Sequence, residues 1–203
     1  MSFVIRPILL AFEATPDEAY VAPLENAISG PNGIGLWFHA YGLALDWRPV
    51  ERLAYTGPDY RLNTDNPWYD VWRFLQLGPE EWAVAVLVDW IEPGPVGWGG
   101  TPLAIAGSYT ANRLLSTGTP EYLADDWLAE GVLAHEVGHV WGLPHDTTRE
   151  NNIMGVGLWR YPECGPSQLM IDLAGAAMAP PAPARLMSVG PHMFATPCPE
   201  RPE

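Results

Sequence analysis

Residues suited to metal chemistry lie close together in the segment HEVGHVWGLPHD, which runs from His135 to Asp146 and holds three of the chain's five histidines. On a helix, His135 and His139 lie one turn apart on the same face, so their imidazoles can bind one Zn²⁺ ion. Glu136 follows the first of these histidines, and from there its carboxylate can reach water that the metal activates. The spacing therefore predicts a metal site with a base beside it.

A sharp turn is predicted after the second histidine. Gly142 stands three residues beyond His139, where a helix would end, and Pro144 disfavours its continuation. The turn can bring His145 back to the same ion. Three imidazoles leave one position open, which is typical of catalytic zinc, whereas structural zinc usually has four protein ligands. The competing interpretation, a helix with its histidines on a polar face, is disfavoured by the length of the pattern HExxHxxGxxH.

This pattern resembles the motif of the metzincin zinc endopeptidases, HExxHxxGxxH followed by a turn that contains methionine. By resemblance, the three zinc ligands are His135, His139 and His145. The resemblance also implies that Glu136 is the general base and that Gly142 bends the chain after the active-site helix. Met154, nine residues past the third histidine, would form the methionine turn; the alternative is an ordinary core methionine.

The metzincin subfamily stays open. The short interval between His145 and Met154 is matrixin-like, whereas Asp146, directly after the third histidine, resembles the adamalysins. Some metzincins carry a tyrosine two residues after the methionine, and this chain has Val156 at that place.

The resemblance further implies an edge strand above the cleft that pairs with an extended peptide substrate. Residues 97–109 precede the helix at a suitable distance for this part. The substrate-binding candidates in it are Leu103, Ala104, Ile105 and Ala106. Beyond the methionine, Trp159 and Tyr161 are candidates for the wall of an apolar pocket. The alternatives are an edge strand without a ligand role and aromatic side chains packed elsewhere.

The remaining elements predict an α+β fold of the metzincin type around this site. Residues 3–12 are expected to form a strand, and Thr15 to begin a helix that ends near Ile28. The apolar run 82–88 is typical of a strand buried on both faces. A long helix that starts near Thr119 is expected to carry the histidines. The expected architecture is a mixed twisted sheet with an edge strand above the cleft, an active-site helix, a methionine turn and a C-terminal helix.

One catalytic domain is expected over residues 1–179, with an upper part to about 142 and a lower part over about 143–179. Residues 180–203 are expected to form a proline-rich tail. Apolar residues make up 48% of the chain and charged residues 17%. That composition supplies a sizeable core and disfavours disorder over most of the chain.

The charge balance disfavours several partners. The chain has 24 acidic and 10 basic residues, a net charge of −14, which argues against nucleic acid and against anionic membrane surfaces. No run of 18 apolar residues is present to span a membrane. The opening segment has too short an apolar stretch for a secretion signal and is interpreted as a strand. We expect a soluble protein, monomeric by default, acting on peptides or proteins, with the compartment unknown and a secreted mature form left open.

The sequence as a whole predicts a zinc-dependent endopeptidase with Glu136 as general base. A catalytically latent zinc-binding protein of the same fold stays open. In a peptidase whose third zinc ligand is a glutamate instead of His145, the candidate here would be Glu163, but the neighbouring proline and cysteine predict a turn there rather than the following helix that such a ligand needs. Calcium is left unassigned because no EF-hand spacing is present, and Cys164 and Cys198 fit either one disulfide or two thiols.

Overall fold

The structure is a computed structural model that describes residues 3–29, 45–62, 67–78, 81–91, 97–116, 129–140 and residue 145. Within these residues the strands are β1 (Phe3–Phe12), β2 (Leu45–Trp47), β3 (Glu51–Tyr55), β4 (Glu81–Leu87), β5 (Gly97–Gly100) and β6 (Leu103–Ala106). The α-helices are α1 (Val21–Ser29), α2 (Trp68–Leu75), α3 (Ser108–Leu115) and α4 (Ala129–Val140). Two 3₁₀ turns, Glu18–Tyr20 and Tyr60–Leu62, precede α1 and α2.

The strands form one mixed sheet around β1. On one side β1 pairs in parallel with β4, and on the other it pairs in parallel first with β2 and then with β3. Beyond β4 lies β6, also parallel, and β5 pairs antiparallel with β6 as the last strand of the described residues on that side. The expected mixed sheet is confirmed. Its mainly parallel pairing and alternating strands and helices are closer to α/β order than the sequence interpretation anticipated.

Helices cover both faces of this sheet, so its central strands are apolar on both sides. In β4, Val84 and Val86 face one layer while Ala85 and Leu87 face the other, and all four are buried. The prediction of a doubly buried strand over residues 82–88 is thereby confirmed for its central residues.

Two apolar cores result, one on each face. On the first, α1, α3 and α4 pack through the buried residues Leu24, Ala27, Ile28, Ala111, Leu114, Val132, Leu133 and Val137. On the second, α2 and the segments near it contribute the buried residues Tyr55, Tyr60, Val71, Leu75 and Trp90. Each large apolar side chain buried in this way stabilises the fold by about 1.5–3 kcal/mol, so both helical layers are held to the sheet by side-chain burial.

Of the predicted edge segment, residues 97–109, only the first part lies at the edge of the described sheet, and the substrate-binding candidates in it are interior. Residues 103–106 form β6, which pairs with β4 on one side and β5 on the other, and all four side chains are at most 1% exposed. Pro102 lies in the turn between β5 and β6. The edge position in the described sheet belongs to Gly97–Gly100.

The first helix begins two residues later than predicted. Asp17, not Thr15, is the N-cap of the opening 3₁₀ turn, and its Oδ1 accepts a hydrogen bond from the backbone N–H of Ala19 at 2.8 Å. Carboxylates are strong N-caps because they satisfy otherwise unpaired N–H groups.

Among the described residues, none of the helices has the length and apolar character that a membrane span requires.

Candidate metal centre and active site

Helix α4 carries the first half of the predicted motif and is buried around most of its circumference. Val132, Leu133 and Val137 pack into the core between α4 and the sheet. A helix that is apolar nearly all round is typical of a buried position. Its polar side chains His135 and Glu136 are therefore held in a rigid setting rather than displayed on a solvated face, contrary to the competing interpretation of the motif.

The three predicted ligands come together. The Nε2 atoms of His135 and His139 are 3.1 Å apart, those of His139 and His145 are 3.1 Å apart, and those of His135 and His145 are 3.2 Å apart. His135 and His139 lie close together because they are four residues, or about one turn, apart in α4, a spacing that places side chains on one face of a helix. His145 reaches the same point from beyond the end of the helix.

This triangle of nitrogens fits a tetrahedral metal ion. Ligands held about 2.0–2.1 Å from zinc lie about 3.3 Å from one another in a tetrahedral site, close to the observed 3.1–3.2 Å. Hydrogen bonds alone cannot explain the triangle. Each Nε2 is either a donor or an acceptor, so of three mutually close nitrogens at least two are of the same kind and repel. A shared cation, which accepts all three lone pairs, removes that conflict.

The three histidines differ in how far their side chains are exposed to solvent. His135 is only 3% exposed, His139 is half-buried and His145 is exposed. The rings of His135 and His139 are nearly perpendicular, with an interplanar angle of 89°. The rings of His135 and His145 are stacked, with an interplanar angle of 28° and centroids 5.1 Å apart, and the exposed side chain of His145 leaves the centre of the triangle accessible from that side.

Glu136 lies beside the triad in a dry environment. Its residue is 5% exposed, and burial raises the pKa of its carboxyl to about 8, because a desolvated carboxylate loses its hydration. A nearby cation acts in the opposite direction by favouring the ionised form. The structure therefore buries the carboxyl group of Glu136, the residue after His135 in α4, against Gly97 of β5; its predicted role as a base stays a prediction.

Two glycines of β5 bring the sheet edge against α4, a feature that the sequence analysis missed. A Cβ atom on Gly97 would lie 2.7 Å from Cγ of Glu136, and one on Gly99 would lie 2.5 Å from Cβ of His139. No side chain fits between strand and helix at either position. Glycine at alternate positions of a strand is a signal of close backbone approach, and the stretch GWGG carried that signal.

The turn after β5 is joined to the end of α4. The Thr101 hydroxyl donates a hydrogen bond to the carbonyl oxygen of Val140, the residue after His139. The residue four positions beyond Val140 is Pro144, which has no N–H to donate, so a side-chain donor is favourable at this carbonyl. Nothing in the sequence pattern indicated this contact.

The other predicted site residues fall outside the described residues. These are Gly142, Met154, Trp159 and Tyr161, as well as Asp146, Cys164 and Cys198. The bend of the chain, the methionine turn, the pocket wall and the C-terminal helix and tail therefore stay predictions. The same holds for the start of the long helix before Ala129.

The fold of this chain is similar to that of a solved structure. The crystal structure of archaemetzincin from Methanopyrus kandleri matches with a TM-score of 0.54 and 14% sequence identity, covering 84% of this chain and 94% of that chain. A zinc-dependent peptidase from Methanocorpusculum labreanum aligns over 88% of this chain and 99% of that chain at 15% identity, but with a TM-score of only 0.36. No protein-family model and no curated protein matches the sequence. The chain thus has a mixed α/β fold similar to that of archaemetzincin, with a three-histidine site that could bind a metal ion.

Proposed function

We propose that this protein is a zinc-dependent endopeptidase of the metzincin type. The observation that carries the proposal is the triangle of His135, His139 and His145 nitrogens, 3.1–3.2 Å on each side, with the buried carboxyl of Glu136 beside it. The likeness of the fold to archaemetzincin supports it. Three imidazoles leave zinc a free coordination position, as catalysis requires.

Each residue has a defined part in this reaction. The three imidazoles hold the ion, and zinc in such a site acidifies water and polarises a carbonyl group. Glu136 accepts a proton from the attacking water and delivers it to the leaving amine nitrogen. Its buried position next to the first ligand keeps the carboxyl at the reacting centre rather than in bulk solvent.

The peptide substrate would bind along β5. The outer edge of Gly97–Gly100 is not paired with any strand of the described residues, and an added strand obtains main-chain hydrogen bonds whatever its sequence. This edge replaces residues 103–106 as the proposed substrate-binding strand. Because Gly97 and Gly99 turn their faces to α4, a peptide paired with β5 would lie next to the helix that carries the histidines.

The untested parts of the site enter the proposal as they were predicted. Gly142 would bend the chain after the helix, and Met154 would lie under the metal. Trp159 and Tyr161 would line an apolar pocket for the substrate. The catalytic domain would comprise residues 1–179 and act as a monomer on peptides or proteins.

A peptide-library cleavage assay tests the proposal. Purified protein is incubated with mixed peptides beside Glu136→Gln, a chelator-treated sample and Glu25→Gln, an exposed carboxylate of α1 that serves as the matched control. We expect internal cleavage by the wild type and the control, none by the Glu136 variant although it still binds zinc, and restoration by zinc after chelation. A wild type that binds one zinc ion but cleaves nothing would favour the latent zinc-binding protein instead.

A further inference from the structure

We propose that Thr101 is a positioning residue of the metal centre, which acts on His139 through the carbonyl group of Val140. The inference rests on the proposed zinc site and concerns how the fold holds that site in place. It starts from the hydrogen bond that the Thr101 hydroxyl donates to Val140.

The donor side of this contact is fixed to the sheet. Thr101 lies in the turn that joins β5 to β6, whose flanking residues Gly100 and Leu103 are paired across the hairpin. The turn is also tied to the next strand, because the N–H of Ala83 donates to the carbonyl oxygen of Pro102 at 3.0 Å. The hydroxyl of Thr101 is therefore presented from a backbone that is held on two sides.

The acceptor side lies where α4 is least constrained by its own hydrogen bonds. His135 sits in the middle of the buried helix, but His139 and Val140 are the last two described residues of it. The carbonyl of Val140 cannot accept the usual helical hydrogen bond from the residue four positions on, because that residue is Pro144. Because Gly99 only sets how closely β5 approaches His139, a directional bond is needed to fix the helix end along the strand, and Thr101 supplies one.

The position of the helix end decides the ligand geometry. The Nε2 atom of His139 lies 3.1 Å from the Nε2 atoms of both other histidines, so a displacement of His139 would change both distances. Residues that orient metal ligands from outside the coordination shell typically change metal affinity by about 10–100-fold when they are removed. Thr101 would belong to this group although it contacts the backbone rather than an imidazole.

The decisive variants are Thr101→Val, which keeps the shape but removes the donor, and Thr101→Ser, which keeps the donor. Ser116→Ala is the matched control, because the Ser116 hydroxyl donates to the carbonyl of Arg113 at 3.0 Å at the end of α3, a helix without a histidine ligand. Zinc affinity is measured by competition with a chromophoric chelator, Co²⁺ coordination by visible absorption, and stability of the metal-free proteins by urea unfolding.

We expect Thr101→Val to bind zinc about tenfold more weakly than the wild type and to show an altered Co²⁺ spectrum. Thr101→Ser should restore both, and Ser116→Ala should keep wild-type affinity although it loses a similar bond. The proposal is overturned if Thr101→Val binds zinc like the wild type, or if Ser116→Ala weakens binding equally. If Thr101→Val does not fold, Thr101→Ala repeats the comparison. A wild type that binds no zinc would overturn the proposed function as well, which distinguishes the two failures.

Discussion

Gly99 of β5 and His139 of α4 are packed so closely that a methyl carbon on the glycine would lie 2.5 Å from Cβ of the histidine. The same carbon would also overlap the backbone of Glu136. A sheet edge and a helix can pack this closely only where one of them has no side chains at the contact. The helix that carries His135 and His139 therefore packs directly on the strand that we propose to bind substrate.

Replacing Gly99 with alanine is expected to destabilise the metal-free protein by about 1–3 kcal/mol, because the added methyl group overpacks the contact with α4. Gly100→Ala is the matched control, since the nearest heavy atom to a Cβ there is Cζ2 of Trp68 at 3.9 Å, an ordinary contact. Urea unfolding of both variants measures the difference. Equal stability of the two would show that the close approach at Gly99 is relieved at no cost.

Removal of one ligand is expected to abolish tight zinc binding. His139→Ala should weaken affinity by more than about 100-fold, since even outer-shell partners account for about 10–100-fold. The loss should be seen by chelator competition and by metal content after dialysis. His192→Ala, a histidine outside the HExxHxxGxxH pattern, should retain wild-type affinity and zinc content; a shared loss would argue against a three-histidine site.

The ion pair between Arg6 of β1 and Glu51 of β3 should make stability depend on acid pH. The Arg6 guanidinium donates to both carboxylate oxygens, at 2.8 and 2.9 Å, and these hydrogen bonds hold the pKa of Glu51 below its ordinary value of 4.5. A carboxyl with a lowered folded-state pKa stabilises the fold above its unfolded pKa, and this contribution is lost as the pH falls through the folded value.

Glu51→Gln should therefore reduce stability at pH 7 by about 0.5 kcal/mol, a value typical of partly exposed pairs. The difference from the wild type should vanish once the pH falls below the lowered folded-state pKa of Glu51, where the carboxyl is protonated in both states. Thermal unfolding across this range measures it, with Glu25→Gln as the control. A difference that persists unchanged into strong acid would mean that the pair contributes through packing rather than charge.

Two neighbouring buried tyrosines should respond in opposite ways to loss of the hydroxyl group. Tyr60 donates to Oδ1 of Asp89 at 2.5 Å, and burial raises the pKa of the Tyr60 phenol, which keeps it a neutral donor at all ordinary pH. Within the described residues, the buried hydroxyl of Tyr55 has no hydrogen-bond partner, an arrangement that costs free energy.

We expect Tyr60→Phe to destabilise the protein by about 1.5–3 kcal/mol, the range for hydrogen bonds to charged groups. Tyr55→Phe should be neutral or stabilising by up to about 1 kcal/mol, since it removes an unsatisfied polar group and keeps the ring contacts. Each variant is the control for the other in a urea titration. Equal losses would show that the Tyr55 hydroxyl also has a partner in solution.

Much of the candidate site could be predicted because its signal is local. A spacing of four residues on a helix determines which side chains share a face, so the pairing of His135 with His139 followed from the sequence alone. The return of His145 to the same point was also predicted, from the glycine and proline between it and the helix. The doubly buried strand β4 was evident from its uninterrupted apolar run.

Which strand lies at the sheet edge could not be read in the same way. The sequence interpretation gave that role to residues 97–109 as a whole, with substrate-binding candidates at 103–106, yet residues 103–106 pair on both sides while the short glycine-rich β5 takes the edge. Strand order depends on hydrogen bonds between segments far apart in the chain, and an apolar strand carries no mark of how many neighbours it has. The apolar pattern of a strand indicates that its side chains are buried, but it does not indicate whether the strand lies at the edge or in the interior of the sheet.

The sequence by itself determined the three histidines of the candidate metal site, the carboxyl of Glu136 and the helix that carries most of them, since these depend on helical periodicity and on residue chemistry. Only the tertiary structure decided that Gly97 and Gly99 seat this helix against β5 and that Thr101 binds its last turn. These contacts join segments some forty residues apart. These contacts depend on the distance between two backbones. The sequence indicates them only weakly, because glycine and threonine also occur in loops and strands for many other reasons.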